Sequence, residues 1–486
     1  MRDVSGFGVQ PVPPSRLSLL RHVRQDVIYA VRLLPQYWLL PTVIFGICGT
    51  LLLPSFGFSS SNLIMGASLV VLLVGLVSVK EISDEVAALA FFLVAIGIFA
   101  LPPEVAFAGF HANSSWLILA GMILGAALKD SGLTNRIAER ILGANRFTYS
   151  SIISALAVLS LVLAFLMPST AARVLLLVPI VIALADRLGY RRESKGFTGM
   201  IIAISVLSFL PCTGIMTSNV RNLGVIGAAQ SLYGIEFSYT DFLLWNFPVL
   251  SLFLTGMFSL LIIWRYGESP HPTEKPQLSN AFSAKEKGVL AIALCTLMLW
   301  MTDFAHGLPP AWVGLAAAAL CLYGPSRDLP LSEQVKLGGW LIFVAFIGLA
   351  AIISHTGLGN WLGGILVDHA GFGIGRTAWN LGAVTVIGIV VGLVATNFAG
   401  PVVMASLAGP IAEATGWSVQ GTIIAMMPSW SFFPFAYQAP IILVAMRMAN
   451  VPLKELNICL LLITVIALLV IVPLQFIWLW ALGLIG

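Results

Sequence analysis

The chain has 486 residues, of which 59% are hydrophobic and 9% charged, with a formal net charge of +4. A soluble domain carries about 25% charged residues, so this composition excludes a water-facing globular protein and points to a polytopic helical membrane protein. Roughly ten to twelve spans of ~20 apolar residues fit the length.

Residues 1–36 are basic and mixed, without the short apolar stretch and small-residue site of a cleavable signal. They are expected to form a cytoplasmic arm, with a surface helix around Leu17–Leu34. No basic patch carries interleaved exposed aromatics, so nucleic acid is not an expected partner. From Tyr37 onward apolar runs recur to the C-terminus. With the N-terminus inside and the spans alternating, all but three Lys and Arg fall on one side. The exceptions are Arg376, in an outer loop, and Arg173 and Arg221, within the membrane region. This bias follows the positive-inside rule and predicts a multi-pass protein of the inner (plasma) membrane with a cytoplasmic N-terminus. The cysteines Cys48, Cys212, Cys295, Cys321 and Cys459 sit in apolar segments without metal-type spacing and read as packed thiols.

The first transmembrane half is expected over 37–264. Residues 265–287, rich in proline and basic residues, read as a cytoplasmic linker. The second half follows over 288–486. Both halves carry the same ordered features. Leu101-Pro102-Pro103-Glu104, Trp116-Leu117-Ile118 and Gly132-Leu133 in the first match Leu329-Pro330-Leu331-Ser332, Trp340-Leu341-Ile342 and Gly357-Leu358 in the second. The basic-residue map runs the two copies in opposite directions, so inverted repeats are predicted.

Each copy continues into an apolar stretch with a polar centre. The first, near 150–185, exceeds one span and has basic loops at both ends. It reads as a re-entrant helical hairpin with its tip at Pro168-Ser169-Thr170; two ordinary spans with a short outer loop are the alternative. The second hairpin is expected near 379–417, with its tip at Thr396-Asn397 and a helix break at Gly400-Pro401. After each hairpin comes a polar interruption within a span: Pro211 to Asn222, then Pro428 to Pro440. Unwound backbone exposes carbonyls that hold cations, while hydroxyls, amides and helix N-termini hold anions. Arg173 and Arg221 have no acidic residue near them in the membrane region. Each is either an anion partner or a structural pair with an acid or with helix carbonyls. Asn219 and Asn397 read as ligands or as helix caps. Tyr437 and Gln438 are further substrate candidates. No metalloprotease or serine-hydrolase motif is present, so no catalytic residues are expected.

These residues resemble the divalent anion:sodium symporter family of dicarboxylate, citrate and sulfate carriers. The likeness covers about Pro102 to the C-terminus. Leu101 to Phe110 is similar to the family's entry before its fourth span, and the Gly132-Leu133 and Gly357-Leu358 turns match. At the first tip Ser169 replaces the family's Asn. The second tip, Thr396-Asn397-Phe398, keeps the Asn. Thr217-Ser218-Asn219 keeps the Asn of the first loop, and Pro434 to Pro440 follows a Pro-x-Gly-Tyr-Gln-Thr-Asn pattern with Ala436, Ala439 and Pro440 substituted.

The resemblance implies an all-α membrane protein with elevator-type scaffold and transport domains, working as a homodimer on a small anion. It implies a substrate site drawn from Ser169, Thr170, Asn219, Thr396, Asn397, Tyr437 and Gln438, to which the intramembrane Arg173 and Arg221 are added from their position. Sodium is the implied coupling ion, with Ser169, Thr217 and Asn397 as its ligands; no other cofactor is implied. The alternatives are an arsenite or cation/proton exchanger of the same superfamily, or a non-transporting membrane scaffold.

Overall fold

The computed structural model describes residues 61–78, 82–143, 148–167, 169–270, 282–394 and 399–486. The expected N-terminal arm, Pro168, residues 271–281 of the linker and the tip residues Thr396 and Asn397 lie outside the described residues. The described chain is all helix, turn and coil.

The first half begins with α1 (Ser61–Ser78), α2 (Asp84–Leu93), α3 (Asn113–Asp130) and α4 (Leu133–Gly143). It continues with α5 (Tyr149–Leu166), α6 (Thr170–Arg187), α7 (Lys195–Leu207), α8 (Val220–Tyr233), α9 (Tyr239–Asn246) and α10 (Leu254–Tyr266). The second half contains α11 (Ala284–Met301), α12 (Pro310–Tyr323), α13 (Leu337–His355), α14 (Leu358–Ala370), α15 (Thr377–Val394) and α16 (Ala399–Ser406). It ends with α17 (Ala408–Thr415), α18 (Val419–Met426), α19 (Pro440–Met448), α20 (Leu453–Ile466) and α21 (Val472–Ala481).

Local chemistry starts many of these helices. A hydroxyl or amide oxygen just ahead of the first turn takes one of the orphan backbone N–H groups. Ser83, Thr148, Ser169, Ser194, Asn219, Ser238, Ser283 and Ser418 all do this. The matched Gly-Leu turns also behave alike. Gly132 (φ 78°) and Gly357 (φ 74°) adopt the left-handed conformation that a side chain disfavours. They let α3 turn into α4, bent by 66°, and α13 turn into α14.

By length and hydropathy alone, five described helical runs can cross a bilayer, and the bent pair α3–α4 makes a sixth. This count covers the described residues alone. Several apolar stretches are interrupted, so their helical pieces are too short to span unaided. Shorter apolar helices lie at Ser61–Val77, Pro310–Tyr323 and Thr377–Leu393. The outer surface is apolar, with Trp264, Phe304, Met298 and Leu469 all more than two-thirds exposed, as lipid contact demands.

Helices α5 and α6 form a hairpin. Tyr149, at the start of α5, packs edge-on against Tyr190, just beyond α6, with ring centroids 6.2 Å apart. Tyr149 also donates to the Gly196 carbonyl (3.3 Å), and Tyr190 to that of Glu268 (2.9 Å). Burial pushes the Tyr190 phenol up to about 12, so it stays a neutral donor. The open end of the hairpin is thereby tied to the start of α7 and the end of α10. In the second half, Asn380 on α15 exchanges hydrogen bonds with the Gly373 backbone (3.2 and 2.8 Å), and Gly416 lies against Ile374. The start of α15 therefore lies beside the end of α17.

Candidate substrate site

Between α7 and α8 the chain leaves the α-helical path over Ser208–Asn219, and all of this segment is buried. Unpaired carbonyls in such a place cost several kcal/mol each in hydrocarbon, and side chains satisfy them. Asn222 Nδ2 donates to the carbonyls of Cys212 (2.9 Å), Thr213 (3.1 Å) and Ile215 (2.9 Å). Asn219 Nδ2 donates to Cys212 O (3.0 Å), while its Oδ1 accepts from Asn222 N (2.9 Å) and caps α8. Ser251 donates to Pro211 O (2.6 Å) and accepts from Gly214 N (2.9 Å).

Arg173 completes this closure. Its side chain is 0% exposed. The guanidinium donates to the carbonyls of Met167, Ser208 and Ser218, to the hydroxyls of Thr170 and Ser218, and to the Cys212 sulfur. It clips the hairpin tip to the break. Of the two roles open to this arginine from the sequence, the geometry is that of a structural pair with carbonyls.

Beside the clip lies a cavity of about 350 Å³. Ser169, Thr170, Asn219 and Arg221 supply its polar wall among the described residues, with Ala439, Pro440 and Ile441 on another side. These residues are the N-terminal ends of α6, α8 and α19. The ends of α6 and α8 offer backbone N–H groups to this space, and α19, which starts at Pro440 without an N–H, adds the positive end of its dipole. Arg221 also donates to the Trp430 carbonyl (2.7 Å), so it joins the break of the first half to that of the second. It borders a second, smaller cavity of about 30 Å³ with Gly400 and Pro401, at the N-terminus of α16, and Gln438.

Of the expected substrate residues, Ser169, Thr170, Asn219 and Arg221 therefore meet at one cavity, and Gln438 joins Arg221 at the neighbouring one. Arg173 stands behind the wall, bonded to Thr170. Tyr437 is 55% exposed and donates to Leu393 O (3.0 Å), while Gln438 donates to Gly392 O (3.0 Å). Both thus satisfy carbonyls at the end of α15, close to where the second tip begins. Thr396 and Asn397 lie outside the described residues. Thr217 faces a different cavity of about 30 Å³, which among the described residues is apolar apart from Thr217 and Thr296. Ser169 and Thr217 are thus not brought to one cavity. Among the described residues no cluster of three or more His, Cys, Asp or Glu is placed to hold a metal.

Sequence reasoning passed over Asn222 and Ser251. Asn222 had a local signal, three residues after a capping Asn219 and at the N-terminal edge of a helix. Ser251 had none, because it reaches the break from a helix about 40 residues away in sequence.

The fold resembles the solved YdaH transporter of Alcanivorax borkumensis, with a TM-score of 0.56 at 14% identity over 86% of this chain and 98% of that one. Among curated proteins, a "Membrane protein" of Cupriavidus necator is 26% identical over 55% of this chain and 54% of its own length. The "Sodium-dependent dicarboxylate transporter SdcS" of Staphylococcus saprophyticus is 22% identical over 54% and 57%. The "Inner membrane protein YbhI" of Escherichia coli is 25% identical over 56% and 60%. The chain thus matches little more than half the length of these relatives. The citrate transporter family model matches residues 63–436, most of the chain, and the resemblance to citrate and dicarboxylate carriers is in keeping with it. The chain belongs to the citrate transporter family, a family of membrane transporters rather than enzymes.

Proposed function

We propose that this chain is a secondary active transporter of small anions, coupled to sodium and working by an elevator-type alternating-access mechanism. The observation that carries the reading is the convergence of three helix N-termini and Arg221 on one cavity. The surrounding segments 140–185, 194–235, 369–412 and 414–454 contain no Asp or Glu. Among the described residues the cavity lining contains Arg221 and no Asp or Glu, a charge that an anion would balance. Arg221 and the N–H groups at the ends of α6 and α8 contact the anion, with Ser169, Thr170 and Asn219 orienting it. Thr396 and Asn397 would close the site from the second tip.

Sodium coupling draws support from the name of the staphylococcal relative, and Ser169 and Asn397 are the ligands assigned to that ion. Thr217, in its mostly apolar cavity, offers too few oxygens for a hard cation that takes about six. Residues 37–264 and 288–486 are read as inverted halves around the linker 265–287. The two hairpins and two broken spans form the moving domain. The reading includes a homodimer in the inner membrane with the N-terminus cytoplasmic.

The test is uptake of labelled succinate, citrate and sulfate by proteoliposomes, with and without a sodium gradient. Flux that needs the gradient, and that falls at least about tenfold in Arg221→Gln, supports the reading; a charge-assisted hydrogen bond contributes ~1.5–3 kcal/mol. Absence of gradient-dependent flux across this anion panel rejects it.

A further inference from the structure

The cavity is polar on one side and apolar on the other, and this asymmetry restricts what fits it. Among the described residues, its polar side chains are confined to the ends of α6 and α8. Ile118 and Met122, one turn apart on α3, face the cavity together with Phe209 and Ile441. Phe209 is held in place by Phe433, their rings 5.5 Å apart and edge-on. Its volume of about 350 Å³ falls at the lower end of the ~300–1,000 Å³ range of drug-sized ligand sites.

We propose that the substrate is a carboxylate bearing an apolar body, with its carboxylate at Arg221 and the helix N-termini and its apolar part against Ile118, Met122 and Phe209. This rests on the anion-transport reading and narrows it. Sulfate and citrate carry polar oxygens on every side. Set in this cavity, they leave some of those oxygens against hydrocarbon with no donor, and an unpaired buried polar group is costly. An aryl- or alkyl-substituted acid leaves none and gains from burying its apolar surface. The anchoring groups lie on the hairpin and the broken span, whereas Ile118 and Met122 lie on α3. The apolar body would therefore sit between those two parts of the protein.

The experiment compares succinate, methylsuccinate and phenylsuccinate, which share two carboxylates and differ only in apolar surface. Binding to the purified full-length protein is measured by titration calorimetry, with sulfate as a fully polar control. Affinity is expected to rise along the series, with phenylsuccinate roughly tenfold or more tighter than succinate, the factor for burying a Phe-sized group. Met122→Gln, close in size but polar, is expected to shrink the phenylsuccinate-to-succinate ratio at least about threefold, and Arg221→Gln to weaken both acids. The wild-type series needs no variant to fold. Equal affinities along the series, or tighter binding of succinate or sulfate, overturn the apolar-body proposal and leave anion transport standing. Failure of every anion to bind rejects both.

Discussion

Between Leu207 and Val220 the chain leaves its helix wholly inside protein, whereas between Met426 and Pro440 it does so beside two exposed aromatic rings. The first break is closed by its own half: Asn219, Asn222, Ser251 and Arg173 supply donors to its carbonyls. The second is only partly self-sufficient. Ser429 and Ser431 turn back to the carbonyls of Met426 (2.5 Å) and Met427 (2.9 Å), but the Trp430 carbonyl takes its donor from Arg221 of the first half. Its stacked rings Phe435 and Tyr437, 5.9 Å apart, lie at the surface; Tyr437 and the Gln438 amide nitrogen donate to α15, while the Gln438 amide oxygen accepts from Phe435 N (3.2 Å). A break satisfied internally is a rigid platform. A break satisfied by its neighbours holds its shape only while those neighbours stay in contact. The first is thus suited to present fixed charge, and the shape of the second depends on Arg221 and α15.

The comparison is broken most forcefully at Arg173. Arg173→Met leaves three buried carbonyls without their guanidinium donor, and each unsatisfied group costs ~1–3 kcal/mol. A loss of about 3 kcal/mol or more is expected, read as a large fall in thermal unfolding temperature in detergent. An unchanged midpoint would mean that the first break is not held by this clip. Asn222→Leu removes one amide that serves three carbonyls and is expected to cost about 1–3 kcal/mol. The same unfolding measurement checks it, and an effect confined to anion binding would contradict a structural role. Tyr437→Phe deletes one hydrogen bond at an exposed position and is expected to cost about 1 kcal/mol or less. If it destabilises as much as Asn222→Leu, the contrast between the two breaks disappears.

Much of the site was legible because its markers are local. Intramembrane arginines, a capping Asn and interrupted apolar runs are visible in a sequence whatever the fold. Ser169, Thr170, Asn219 and Arg221 were found in this way, and they do meet. The division of labour between the two arginines was not legible. Both are cationic, lie near a break and lack an acidic neighbour, so no composition or spacing separates them. The separation of Thr217 from Ser169 was likewise hidden, since hydroxyls at two chain breaks look equivalent until their cavities are known.

The sequence by itself determined a helical membrane protein with broken apolar segments and Gly-Leu turns at matched positions. These follow from the hydrophobic cost of exposing apolar length to water and from local backbone preferences, which act over a few residues. Only the tertiary structure decided where each polar group is spent. Arg173 is consumed by carbonyls brought to it from residues 208 and 218, and Arg221 reaches a carbonyl 209 positions away while still lining the cavity. A buried donor binds whichever acceptor packing places beside it, and that choice depends on contacts between segments distant in the chain.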